Sequence, residues 1–326
     1  MFLQHTQMID VPVTSFGINA KSSVKGLADI FAPAIPKIEF YDFDLGMLQD
    51  FLAFIALPDD SAYWLWGLHG TGKTSFIEQV CARLNMSCYS ITGSKTLEIE
   101  DLLYQNILKP DGSTGVELDK LAQAFKYGGV FLFNEIDLVD PSKLTALNEV
   151  LSGSTLIIPG IDEVIHKHEA FRFVVTANTN GSFDDESGIG FDGTETMNIS
   201  FMDRFIVNQA HYLPVDKEKN ILEHFAKETY AMVKGFTGDN LNSHTKSIVP
   251  IISKMISVAG ESRKSAMNTS SFDRPISIRG LKRWLQKTIQ FSAMDNSIEH
   301  AFKQSILNAY PPSQRPALNE FYKDVI

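Results

Sequence analysis

Cysteine is nearly missing from this chain: two residues in 326, Cys81 and Cys88. Neither stands at metal-ligand spacing, so there is no disulfide framework and no zinc site to build on. Both read as small core residues, one on a predicted helix and one on a predicted strand. Long apolar runs are missing too, since nothing approaches the roughly 18 residues of a membrane span. The opening Met1-Phe2-Leu3-Gln4-His5 lacks the basic and apolar regions of a signal peptide. These absences lead to the expectation of a cytoplasmic protein. A basic surplus is also absent: 29 Lys and Arg stand against 39 Asp and Glu, a net charge of -10. That weighs against a broad nucleic-acid footprint and leaves room only for a locally basic pore. There is no internal repeat and no low-complexity tract.

What is present is ordinary in bulk and specific in one stretch. A content of 44% hydrophobic and 21% charged residues suits a globular chain, with length enough for one large domain or two. The specific stretch is Gly67-Leu68-His69-Gly70-Thr71-Gly72-Lys73-Thr74, which fits the phosphate-binding pattern G-x-x-x-x-G-K-[ST]. Ala62-Tyr63-Trp64-Leu65-Trp66 before it reads as a buried strand. After it, Phe76, Ile77, Val80, Cys81 and Leu84 mark one face of a helix. This strand-turn-helix setting lets backbone N–H groups surround a phosphate at the positive end of a helix. The expected nucleotide-binding set is His69, Gly70, Thr71, Gly72, Lys73, Thr74 and Ser75. Lys73 reaches the β- and γ-phosphates and Thr74 holds Mg²⁺, while His69 reads as a spacer with a packing role.

The rest of the chain falls into three parts. Residues 1-40 carry scattered Pro, Gly and Ser and read as an irregular arm that packs on the next domain or on a neighbour. Residues 41-214 alternate helices and strands. A helix covers Asp42 to Leu57, ended by Pro58-Asp59-Asp60; a second strand covers Ser87 to Thr92; a helical piece covers Leu97 to Leu103. Lys109-Pro110-Asp111-Gly112-Ser113 and Pro159-Gly160 are turn sequences inside two predicted hairpins. Val130-Phe131-Leu132-Phe133 and Phe171 to Ala177 are continuous apolar runs, as strands buried on both faces should be. A helix starts near Pro141 with Leu144, Leu147 and Leu151 on one face. A Gly- and Asp-rich loop from 181 to 193 leads to a short helix and a fifth strand, Ile206 to Leu213. Residues 215-326 are helical, with a polar loop expected over Ala259 to Asp273. The pattern predicts a three-layer α/β fold with a smaller helical lid.

The strand Val130 to Phe133 ends in Asn134-Glu135-Ile136-Asp137. In P-loop ATPases an Asp at such a tip holds Mg²⁺ and the next Glu polarises the attacking water. Glu135 fits; the Asp position is taken by Asn134, which keeps an acceptor oxygen and loses the charge. Asp137 at the same tip is an alternative source of that charge.

These features together resemble the AAA+ ATPases, in the MoxR-related branch with its two inserted hairpins, and within it the CobS-type subunits of aerobic cobaltochelatases. The residues carrying the resemblance are the P-loop, Ile77-Glu78-Gln79-Val80, Ala82-Arg83-Leu84-Asn85, His168-Glu169-Ala170-Phe171-Arg172, Thr176-Ala177-Asn178-Thr179, Gly193-Thr194 and Met202-Asp203-Arg204. They span roughly residues 40 to 214, and Asn134 departs from the family pattern. The resemblance implies an αβα sandwich with a five-stranded parallel sheet and a C-terminal helical lid. It implies Mg²⁺-dependent ATP hydrolysis in a ring, most commonly a hexamer. Asn178 then matches the sensor near the γ-phosphate, and Arg204 the finger that reaches a neighbouring subunit's nucleotide. Arg279 matches the lid arginine, with Arg274 as its rival. The implied partners are a von Willebrand A domain protein and a client complex, with cobalt insertion into a corrin as the work done. A MoxR-like chaperone acting on another complex, a slow nucleotide-gated scaffold and a nucleic-acid motor remain alternatives; the acidic balance counts against the last.

Overall fold

Five apolar runs pair as one parallel sheet. They are β1 (Ala62–Trp66), β2 (Cys88–Thr92), β3 (Gly129–Asn134), β4 (Phe171–Ala177) and β5 (Phe205–Gln209), in the spatial order β5-β1-β4-β3-β2. The structure is a computed structural model and describes residues 8–27, 34–56, 61–181, 196–269, 272 and 274–326. The loop expected from 181 to 193, with Gly193 and Thr194, lies outside the described residues apart from Gly181. Pro58-Asp59-Asp60 lies outside them as well.

Every residue of β1, β3 and β4 is buried. Alternate side chains enter different cores, as the two-residue period of a strand dictates. Tyr63, Leu65, Val130, Leu132 and Val174 pack with α1 (Leu45–Ala56) and α2 (Lys73–Arg83). Trp64, Phe131, Phe133, Phe173 and Val175 pack with α3 (Lys120–Tyr127) and with Leu144, Leu147 and Leu151. The result is the expected αβα sandwich. Both hairpins are present: Tyr104–Leu108 pairs with Thr114–Leu118, and Thr155–Leu156 with Ile165–His166.

Beyond β5 the chain is helical. Helices α4 (Val215–Lys234), α5 (Gly238–Thr269), α6 (Ile278–Gln290), α7 (Ser297–Ser305) and α8 (Arg315–Val325) share a separate core that includes Leu222, Met255, Trp284, Leu285, Phe302 and Leu318.

The structure differs from the sequence expectation in five places. The arm is not irregular throughout: Met8–Pro12 and Ser23–Leu27 form an antiparallel pair, Val11 and Leu27 enter the core beside α1 and α2, and Leu27 N–H donates to Leu84 O at 3.0 Å. Leu97 to Leu103 holds only a 3-10 turn, Glu100–Leu102. The helix from Pro141 is two short pieces, Pro141–Leu144 and Leu147–Ser152. Residues 259 to 269 of the expected loop are instead the end of α5, where Ser262 and Arg263 are buried and satisfied inside the lid; residues 270, 271 and 273 lie outside the described residues. The fifth strand also ends at Gln209, short of the expected Leu213.

Candidate active site

The carboxyl ends of the strands deliver their residues to one sheet edge. Trp66 pairs with Ala177, Phe133 with Val175 and Thr92 with Asn134. That edge is where open parallel sheets bind ligands. Gly72, at φ +88, is the N-cap of α2, and no side chain caps the helix. Its first N–H groups therefore remain available to an anion. Gly70, at φ +77, comes so near the lid that a Cβ there would lie 2.1 Å from Ser277 Cβ. P-loop and lid are in direct contact at this point.

Lys73 Nζ donates to Gly67 O at 2.6 Å, Leu68 O at 3.2 Å and Asn178 Oδ1 at 3.4 Å. All three acceptors are neutral, and among the described residues no carboxylate pairs with the ammonium directly. Burial pushes Lys73 down to about 8; Asp137 and Glu135 pull it back up and Arg279 pushes it further down. A partly buried cation resting on carbonyls is well fitted to take an anion instead.

Asn134 joins three strands. Its Oδ1 accepts from Thr74 Oγ1 at 2.6 Å and Thr176 Oγ1 at 3.0 Å, while its Nδ2 donates to Ser90 Oγ at 2.8 Å and Ile91 O at 3.2 Å. Both lone-pair sites and both N–H groups are thereby used. This gives a physical reason for an amide where a carboxylate is expected: an Asp could donate to neither Ser90 nor Ile91. Asp137 is fully buried. Its Oδ2 accepts from the N–H groups of Asn178 at 2.7 Å and Thr179 at 3.2 Å, which clamps the β4 tip, while Oδ1 has no partner among the described residues. Burial raises its pKa, against the pull of those N–H groups and Lys73. Glu135 between them sits at φ +53, a left-handed conformation uncommon outside glycine. No group of three or more His, Cys, Asp or Glu able to hold a metal occurs among the described residues.

Between the P-loop and the lid lies a cavity of about 830 Å³, lined by His69, Gly70, Glu135 and Asn178 on one side. Arg274, Arg279 and Arg283 line the other. Small-molecule sites commonly fall within roughly 300–1,000 Å³. Arg274 is tied into the lid: it donates to Ala309 O and its guanidinium lies 5.2 Å from the Tyr310 ring centroid. Arg279 and Arg283 are exposed, and neither holds an ion pair among the described residues. Sequence reasoning missed Arg283, although its place four residues after Arg279 puts it on the same helix face. It also missed Thr176 and Ser90, which hold Asn134.

Of the four expected catalytic residues, Glu135, Asn178 and Arg279 line this cavity and Arg204 does not. Arg204 precedes β5, and its carbonyl accepts from Ala62 N at 2.9 Å, at the start of β1. The P-loop begins at the far end of β1, five residues or roughly 17 Å away at about 3.3 Å per residue. The Arg204 side chain donates to Ser152 Oγ at 3.1 Å and to Ser200 O.

Residues 63–189 match the family model described as AAA domain (dynein-related subfamily). The chain is 31% identical over 306 residues to the aerobic cobaltochelatase subunit CobS of a Sinorhizobium species, covering 90% of this chain and 86% of that protein. It is 26% identical over 159 residues to midasin of Dictyostelium discoideum, which covers 48% of this chain and 3% of midasin. Among solved structures, NtrX from Brucella abortus in complex with ATP has a TM-score of 0.51 at 13% identity, over 88% of this chain and 62% of that one. That last likeness is one of fold.

Proposed function

This chain belongs to the AAA+ ATPases, in the MoxR-related branch close to the cobaltochelatase subunit CobS, and on that premise we propose that it works as one subunit of a ring motor that remodels a partner complex. The chain is an ATPase. In the proposed cycle Lys73 turns from the carbonyls of Gly67 and Leu68 to the β- and γ-phosphates, and the N–H groups at the start of α2 hold the same oxygens. Glu135 orients the attacking water and takes its proton. The water oxygen bonds to the γ-phosphorus, the bond to the β,γ-bridging oxygen breaks, and ADP and phosphate leave. Asn178, already in contact with Lys73, fixes the water near the γ-phosphate, and Arg279 reads that phosphate from the lid. The Thr74 hydroxyl and the Asn134 amide oxygen are 2.6 Å apart, an all-oxygen pair of the kind hard cations take. These two would hold Mg²⁺, directly or through water, and the ion supplies neutralisation of phosphate charge.

The observation that carries the ring is the position of Arg204. At the wrong end of β1 for its own P-loop, it suits the nucleotide of a neighbouring subunit. A hexamer is the expected assembly. The exposed Leu108 and Ile157 on the two hairpins give such a ring apolar points of contact for a client. From the CobS relative, the proposed work is cobalt insertion into a corrin, carried out with a von Willebrand A domain partner; a MoxR-like role on another protein complex is the alternative. The ring reading is tested by mixing two inactive variants, Arg204→Ala and Glu135→Gln. Interfaces that pair an intact finger with an intact active site should restore part of the ATPase activity. No recovery at any ratio, in rings shown to be mixed, would sink the trans assignment.

The saturated, uncharged Asn134 favours one second reading, a slow switch that binds ATP and changes state without rapid turnover. Steady-state phosphate release with and without client separates switch from motor.

A further inference from the structure

Tyr212 lies in the connector between β5 and α4, where the core passes into the lid. Its hydroxyl donates to His69 O in the P-loop at 2.8 Å. Its ring is stacked by the Arg263 guanidinium, 4.2 Å from the centroid. Arg263 is itself fully committed: it binds Glu218 through both Oε atoms at 2.9 and 2.8 Å, and its Nε donates to Ile276 O at 2.9 Å. Ile276 N–H in turn donates to Ser262 Oγ at 3.0 Å. The next residue, Ser277, is the N-cap of α6, accepting from Gly280 N–H at 3.2 Å, and α6 carries Arg279. An unbroken set of contacts thus runs from the P-loop carbonyl to the start of the helix that bears the lid arginine.

We propose that Tyr212 is a positioning residue that straps the P-loop to the Arg263–Glu218 pair and so sets where Arg279 meets the terminal phosphate. Two features separate this from ordinary packing. A phenylalanine would fill the same space, yet only the phenol reaches the loop backbone; burial raises the Tyr212 pKa and keeps that hydroxyl a donor. Glu218 and Arg263 are 1% and 8% exposed. A buried ion pair is seldom the most stable way to fill a core, and what it contributes is fixed geometry. The strap rests on the reading of Arg279 as the phosphate-contacting lid arginine, so its test keeps the two apart.

Tyr212→Phe keeps the ring over Arg263 and loses the bond to His69. Its melting temperature should stay within about 2 °C of wild type. ATP affinity should stay within about threefold, while kcat falls about tenfold, the scale of a modest coupling. In Tyr212→Phe/Arg279→Ala turnover should be no slower than in Arg279→Ala alone, to within about twofold, because both changes act on one contact. Wild-type kcat in Tyr212→Phe overturns the strap. So does a multiplicative double variant, or a fall in kcat that tracks a fall in melting temperature. If Arg279→Ala itself turns over at the wild-type rate, the lid-arginine assignment fails and takes the route through α6 with it. A slow Arg279→Ala beside a normal Tyr212→Phe removes the strap alone.

Discussion

The two walls of the cavity are built in opposite ways. Behind the core wall each polar group is held by another: Lys73 on two carbonyls and Asn178, Thr74 on Asn134, Asp137 on the backbone of the β4 tip. On the lid wall the charges face solvent, and Arg279 and Arg283 are exposed at the surface of α6. The core wall is arranged before a ligand arrives, so binding there needs little reorganisation. Arg279 and Arg283 offer charge that holds no ion pair among the described residues, which a phosphate can satisfy as the cleft fills. Arg274, also exposed on the lid side, differs from them in being held by Ala309 and Tyr310. This makes Arg279 the better candidate of the two for the phosphate contact.

The contrast can be broken from either side. The largest effect should come from the core wall. Lys73→Ala removes charge-assisted contacts of roughly 1.5–3 kcal/mol each, so ATP affinity should drop by about 10² or more. Calorimetry with ATP reads this directly, and unchanged affinity would mean the loop does not hold the phosphates. Next comes the lid wall, where Arg279→Ala should slow turnover by about 10², the scale for losing one donor at a charge that develops in the reaction. ADP affinity should hardly move, since ADP lacks the phosphate in question. A matched loss for ADP and ATP would place Arg279 elsewhere.

A smaller effect probes Lys73 by pH. In the proposed cycle Lys73 binds phosphate as the cation, and burial pushes it down to about 8 in the nucleotide-free protein. ATP affinity should therefore fall about tenfold from about pH 7 to about pH 9. The stability term has the opposite sign. Between about 8 and the ordinary lysine value of 10.5 the unfolded chain holds more protons, so the free protein gains stability as pH rises. An affinity flat across this range would show Lys73 protonated in the empty cleft. The smallest effect should be that of Asn134→Asp, which adds a charge beside Thr74 and loses the donors to Ser90 and Ile91. The Mg²⁺ concentration for half-maximal activity should fall by a few fold, about one charge seen through a high effective dielectric. Asp137→Ala should leave it in place, because Asp137 is engaged on the backbone. Superimposed Mg²⁺ titrations for wild type and Asn134→Asp would detach the β3 tip from the metal.

The same contrast explains what could be read in the sequence. The core wall comes from short contiguous signals: a glycine-rich turn after an apolar run, and polar residues at the ends of two more such runs. Local chemistry fixes those, and the expected sheet followed from them. The lid depends on contacts between distant residues. Arg263 and Ser262 look like loop residues until Glu218, 45 positions away, and Ile276 are brought against them. The arm's strands are five residues each, too short for their alternation to stand out. Arg283 was legible by helix spacing alone. The link between Tyr212 and His69 was not, since no local pattern marks a phenol that bonds to a distant carbonyl.

The contact between Gly70 and Ser277 also acts as a fulcrum. Arg279 stands two residues beyond Ser277 and Arg283 six, so at about 1.5 Å per residue their lever arms are roughly 3 and 9 Å. Any tilt of α6 about that point carries Arg283 about three times as far as Arg279. The inner arginine stays in register with a bound phosphate over a range of tilt. The outer one sweeps across the mouth of the cavity, so its position reports the angle of the lid.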